Sequence, residues 1–246
     1  MPIPKKINSS LSKAILIAIC CALSSGIAFA AGDFAIPHGQ VIVSPDALLS
    51  ATAGGLDQTG STQASETVSG MPFDHAFVVK IGKTSAETNV TQFNIRIQEA
   101  VAKGDTMVGS LWLRGVAADG KSPASTAFLF EKADSLWTNS ISDTEVSLPG
   151  GTKWRHIVVP FAAAESYLPG EAMASIRLAF GPQTVEVAGL DVEDLGTTVP
   201  LNDLVADIAN NAPPLDVKLA IGAPTNIRHL SASAETSARQ DTAKQM

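Results

Sequence analysis

Seven short stretches of this chain alternate apolar and polar residues with a period of two, and that alternation limits the folds open to it more than any other feature. They are FDHAFVVKIG (73 to 82), TQFNIRIQEA (91 to 100), TMVGSLWLRGVAA (106 to 118), STAFLFEKA (125 to 133), WRHIVVPF (154 to 161), ASIRLAFG (174 to 181) and TVEVAGLDVEDLG (184 to 196). Each is rich in Val, Ile, Leu and Phe, and Lys-Gly-Asp, Ala-Asp-Gly-Lys, Leu-Pro-Gly-Gly and Leu-Pro-Gly separate them. A period of two puts successive side chains on opposite faces of a strand, and the Gly, Pro and Asp punctuation supplies turns. Strands at this spacing, with little helical periodicity between them, predict an all-β chain: an antiparallel β-sandwich or jelly roll. Near 201–210, Leu201, Leu204, Val205 and Ile208 share one helical face, which predicts a short helix or a surface turn.

The first 30 residues stand apart. Lys5, Lys6 and Lys13 precede an apolar run from Ala14 to Leu23, followed by Ser-Ser-Gly and Ala28-Phe29-Ala30, the pattern of a secretory signal with a small-residue cleavage site. The run is about half the roughly 20 residues that a membrane-spanning helix needs, so no span is expected. Lipidation at Cys20 or Cys21 is the alternative, but Ile19 and Cys20 occupy the preceding positions, where a small residue is usual. Cleavage near Ala30 predicts a periplasmic or secreted protein. Both cysteines of the chain leave with the signal, and with them any disulfide, thiol nucleophile or thiolate metal site. Losing three lysines and no acid leaves 14 basic and 24 acidic residues, a net charge of 14 − 24 = −10. So acidic an exported chain is poorly suited to nucleic acid or anionic lipid.

From Ala212 onward the chain turns to Ala-Pro-Pro, Gly-Ala-Pro-Thr and a Ser/Ala/Thr/Gln tail, with almost no large apolar residue after Leu230. Such a segment buries too little to offset its ordering entropy, so residues 199–246 read as a short helix or turn followed by a mobile tail. Residues 50–70, rich in Gly, Ser, Thr and Gln, read as a long loop.

The polar sides of three strands carry the functional signal. In 91 to 100, Phe93, Ile95 and Ile97 oppose Asn94, Arg96 and Gln98; in 174 to 181, Ile176, Leu178 and Phe180 oppose Ser175, Arg177 and Ala179; in GSLWLRG, Leu111 and Leu113 oppose Trp112 and Arg114. Planar donors beside an aromatic ring suit a sugar, whose C–H face packs on an indole while its hydroxyls take directional hydrogen bonds. If these strands are neighbours, their polar row lines one concave sheet. Trp137, in the polar loop ADSLWTNS, is a further candidate for ligand contact. Each has a structural alternative. Trp112 is equally suited to packing, and Arg96, Arg114 and Arg177 to ion pairs with Glu99, Glu131 or Glu186. Trp154 fits a core or rim position, Gln183 and Glu186 fit structural roles first, and Tyr167 is a weak candidate.

The order KGD, LWLRG, FLFE, WRHIVVPF and RLAFGPQTVEVAGLDVEDLG resembles carbohydrate-binding modules of the family 4 and 9 kind, those attached to bacterial xylanases and related polysaccharide hydrolases, over residues 34–198. The resemblance implies a galactose-binding-like jelly roll. It also implies a non-catalytic domain that holds a polysaccharide or oligosaccharide in a cleft on the concave sheet or at loop tips. About 48 residues follow that region, too few for a glycosidase domain. A structural calcium, common in such modules, would use Asp191, Asp194 or backbone carbonyls near the termini; no other metal or cofactor is expected.

Catalysis finds little support. His38, His75, His156 and His229 show no zinc-hydrolase spacing, and no GxSxG elbow or phosphate-binding glycine loop occurs. Glu131 and Glu186 offer a carboxyl pair for glycoside hydrolysis, but with 24 acids some pair always meets the 5 to 10 Å separation of about that size. A second reading keeps the sandwich and discards the sugar: a structural β-sandwich of the cell envelope that docks a protein partner through its loops or tail.

Overall fold

The computed structural model describes residues 37–134, 137–141, 144–151 and 153–211. The expected signal at 1–30, the expected mobile tail beyond Ala212 and His229 lie outside the described residues. In chain order the elements are β1 (Gln40–Val43), α1 (Pro45–Leu49), α2 (Leu56–Thr59), β2 (Thr62–Thr67), β3 (His75–Ile81), β4 (Gln92–Arg96), β5 (Thr106–Ala117), β6 (Ala124–Lys132), β7 (Thr144–Leu148), β8 (Arg155–Ala162), β9 (Ala172–Arg177), β10 (Gln183–Asp194) and α3 (Leu201–Asn211). The segment read as helix or turn is α3.

Two antiparallel sheets pack face to face, an antiparallel β-sandwich. The larger has the order β2-β3-β10-β5-β8, with β1 paired to the far end of β10; the smaller runs β4-β9-β6-β7. Their facing sides follow the alternation of the sequence. Phe77, Val79 and Ile81 of β3, Leu111 and Leu113 of β5, and Val185 and Val187 of β10 meet Phe93 and Ile95 of β4, Phe128 and Phe130 of β6, and Ala174 and Ile176 of β9 in one buried cluster. Phe77 and Phe93 stack across the sheets, 5.6 Å between centroids. Each of these Val, Leu, Ile and Phe side chains contributes about 1.5–3 kcal/mol on leaving water. Gly109 is small for a reason: a Cβ there would lie 2.7 Å from the Phe128 ring.

Gln183 ties the sheets at one end. Its side chain, 5% exposed, accepts from the Ser125 N–H at 2.8 Å and donates to the Ser125 and Leu178 carbonyls, both at 2.7 Å. The start of β10 is thereby fastened to β6 and to the end of β9. A bulge interrupts β10 further on: Ala188 pairs with Trp112, but Asp191 pairs with Ser110. Three steps on one strand match two on the other, and Gly189 absorbs the extra residue with φ +55°, the left-handed conformation such bulges require.

Three expectations need correction. Residues 50–70 are not one loop, since they hold α2 and the edge strand β2, whose sequence TQASET lacks the large apolar residues that mark an interior strand. The strand expected over 91–100 is shorter, since β4 ends at Arg96, although the alternation carries on past it: Ile97 is buried and Gln98 is exposed like Asn94 and Arg96. Most consequentially, β4 and β9 belong to one sheet and β5 to the other, so the polar sides of the three strands never form one surface. They face outward from opposite sides of the core.

Candidate functional site

The outward side of the larger sheet divides into two halves. Over one, Leu204 and Ile208 of α3 pack on Val108 of β5 and Val158 of β8, joined by Leu195 and Val199. Strand β5 carries Val108, Ser110, Trp112 and Arg114 on this side, four residues that pass from the helix-covered half to the other.

Beyond the helix, aromatic and charged groups meet. Trp112 lies opposite His156 in the β5–β8 ladder, and the two rings stack with centroids 4.5 Å apart and planes 6° from parallel. Phe73, from the loop between β2 and β3, leans on Trp112 at 5.9 Å and meets Trp154 edge-on at 4.9 Å. The guanidinium of Arg114 sits 4.6 Å above the Trp154 ring. Every one of these side chains is partly accessible to water.

The register also explains the charges. Ala64, Val78, Glu186 and Arg114 occupy one row across β2, β3, β10 and β5. Arg114 donates from Nε to Glu186 at 2.7 Å and from a terminal nitrogen to Glu66 at 2.8 Å. Hydrogen bonding to Glu186, reinforced by the charges of both carboxylates, holds the guanidinium above its ordinary pKa. Burial pushes the Glu186 carboxyl upward, and Arg114 opposes that shift. One cation between two carboxylates gives a fixed polar array beside the rings.

Further along β10, past the bulge, Asp191 lies opposite Ser110. Burial, followed by the charge of Glu193, raises its carboxyl from 3.8 to about 6, and its Oδ1 is buried without a hydrogen-bond partner. Glu193 itself is 4% exposed and accepts from the His38 ring at 3.1 Å and from the Gly39 N–H. Asp194 accepts from the Gly196 N–H at 2.7 Å. Among the described residues no group of three or more His, Cys, Asp or Glu side chains is placed to hold a metal ion.

The other candidates lie elsewhere. On the smaller sheet, Asn94 accepts from the Ser175 hydroxyl at 3.0 Å, and Arg96 donates to the Gly170 carbonyl at 2.8 Å and lies 3.7 Å from Asp134. Arg177 is not on a wet surface: it is 4% exposed and pairs with Glu131, itself 2% exposed, at 3.6 Å. Trp137 is 41% exposed in the loop after β6. Tyr167 is a core residue, 1% exposed, with its hydroxyl 2.9 Å from that of Ser140. Glu131 and Glu186 face outward from different sheets, so they do not form the carboxyl pair considered for hydrolysis.

The structure therefore joins Trp112 and Arg114 with Trp154 and Glu186, and separates them from Asn94, Arg96 and Arg177. It adds His156, Phe73 and Glu66, which the sequence reading left out of the site. His156 carried a usable signal, since Trp154, His156 and Val158 alternate on one side of WRHIVVPF. Phe73 and Glu66 carried none, because a loop and an edge strand reveal their partners only after folding.

No protein-family model matches the chain, and no curated protein matches it. Solved structures do. A CBM4 structure is similar at 17% identity and a TM-score of 0.46, covering 65% of this chain and 99% of that one. The CBM22-1 xylan-binding domain of Xyn10C from Paenibacillus barcinonensis is similar at 14% identity and 0.46, covering 67% and 100%. The CBM22-1-GH10 modules of Xyn10B from Clostridium thermocellum are similar at 15% identity and 0.44, covering 68% of this chain and 30% of theirs.

Proposed function

We propose that this chain is an exported, non-catalytic carbohydrate-binding module whose ligand surface is the part of the larger sheet around Trp112. The observation that supports this reading is the grouping, on one partly accessible face, of Trp112, Trp154 and His156 beside Arg114 held between Glu66 and Glu186. Aromatic rings accept the C–H face of a pyranose. The guanidinium offers N–H donors in fixed directions and the two carboxylates offer acceptors, so hydroxyls that both donate and accept find partners along one row. Because the polar array is already braced, little side-chain entropy remains to be lost on binding.

Affinity electrophoresis through xylan, mannan, β-glucan and alginate tests the proposal. The wild-type protein is retarded in at least one of these gels, and Trp112→Ala is not. Equal, unretarded migration of both proteins in every gel would overturn it. Incubation with the retained polymer is expected to release no reducing sugar.

A further inference from the structure

Phe73 differs from its neighbours in how it reaches the site. Trp112 and His156 come from adjacent strands, and Trp154 immediately precedes β8, so ladders fix or closely constrain all three. Phe73 comes from the loop that joins β2 to β3. The Val68 N–H closes that loop onto the Asp74 carbonyl at 2.8 Å. At its tip Gly70 is left-handed, with φ +75° and nothing within 4 Å of where a Cβ would be, and Pro72 and Asp74 are exposed. The tip stands clear of the sheet, while the Phe73 ring reaches back onto it.

The ring rests over a floor without a side chain. A Cβ at Gly189 would lie 3.2 Å from Trp112 and 3.7 Å from Phe73. Trp112 and Trp154 both contact the ring, at 5.9 and 4.9 Å. Withdrawing Phe73 would leave a hollow floored by glycine, bordered by two indoles and adjoining the Arg114 array. A phenyl ring and a pyranose ring are similar in width and thickness.

We infer that Phe73 is a built-in competitor for the sugar: its ring fills the place between Trp112 and Trp154 that a pyranose ring takes, and binding requires the 69–73 loop to carry it away. This rests on the carbohydrate-binding reading of the same surface. Phe73 is then an affinity-setting residue whose removal strengthens binding, the opposite of a platform residue.

The experiment is titration calorimetry of wild type, Phe73→Ala, Phe73→Leu and Trp112→Ala with β-1,4-linked hexaoses of xylose, glucose and mannose, alongside the affinity gels. Phe73→Ala is expected to bind roughly three- to tenfold more tightly than wild type, the worth of one displaced aromatic pair. Phe73→Leu, which keeps an apolar contact if the alanine variant fails to fold, falls between them. Weaker or unchanged binding by the Phe73 variants, with wild type bound and Trp112→Ala not, overturns the competitor role and leaves the carbohydrate reading standing. Absence of binding by all four proteins to every hexaose and gel overturns both.

Discussion

His156 lies flat against Trp112, 4.5 Å between ring centroids and 6° between planes, because the β5–β8 ladder sets the two residues directly opposite each other. Such a pair contributes about 0.5–1.5 kcal/mol beyond the area it buries. His156→Ala should lower unfolding free energy by about that amount in urea titrations. It should also raise iodide quenching of tryptophan fluorescence, since one face of an indole loses its cover. Unchanged quenching would contradict the role assigned to the stack.

Asp191 predicts a pH dependence with a definite sign. Its carboxyl is raised from 3.8 to about 6, chiefly by burial and then by the charge of Glu193, while His38 acts in the opposite direction. The folded state therefore favours the neutral form. The contribution is complete below pH ~4 and is lost as pH rises through about 6. A shift of this size corresponds to about 3 kcal/mol, reduced to the order of 1–2 kcal/mol because the group is partly exposed. Asp191→Asn should therefore melt higher than wild type at pH 7.5 and no higher at pH 4. Equal melting temperatures at pH 7.5 would count against it.

Gln183→Ala would leave the Ser125 N–H and the Ser125 and Leu178 carbonyls without their partner in a buried setting. The cost should be about 2–4 kcal/mol by chemical denaturation, since each orphaned buried group costs about 1–3 kcal/mol and some relaxation follows. Gln183→Glu retains the acceptor for Ser125 N–H and loses the donor to both carbonyls, so it should not rescue. Full stability of either variant would show that the tie is dispensable.

Gly189→Ala combines a left-handed φ of +55° with a Cβ 3.2 Å from Trp112. The conformation alone costs about 1–2 kcal/mol. Melting should drop accordingly, and the near-ultraviolet circular dichroism of the tryptophans should change because the indole has to move. Gly70→Ala, also left-handed but with nothing within 4 Å, should show a stability loss without the spectral change.

The sequence revealed which residues point inward and concealed which strands meet. Phe93, Ile95, Leu111, Leu113 and Ile176 are buried where the alternation puts them, because burial of one sheet face is what selects that pattern. Pairing is a long-range property. Nothing local in LWLRG or ASIRLAFG reports that β5 lies in one sheet and β9 in the other, so Trp112 and Arg177 looked alike although one is partly wet and the other sealed in an ion pair with Glu131. Strand β2 escaped notice because an edge strand exposed along most of its length needs no large apolar residues. Glu66, which braces Arg114, was hidden with it.

The bulge in β10 gives Gly189 a reach well beyond its neighbours. Before it the odd-numbered residues Val185 and Val187 enter the core; after it the even-numbered Leu190 and Val192 do. If β10 ran straight through this point with every residue kept, the parity would not switch: Leu190 and Val192 would turn toward solvent, and Asp191 and Glu193 would be driven in among phenylalanines. One residue without a side chain thus keeps the reading frame of the final strand in phase with the oil-filled interior.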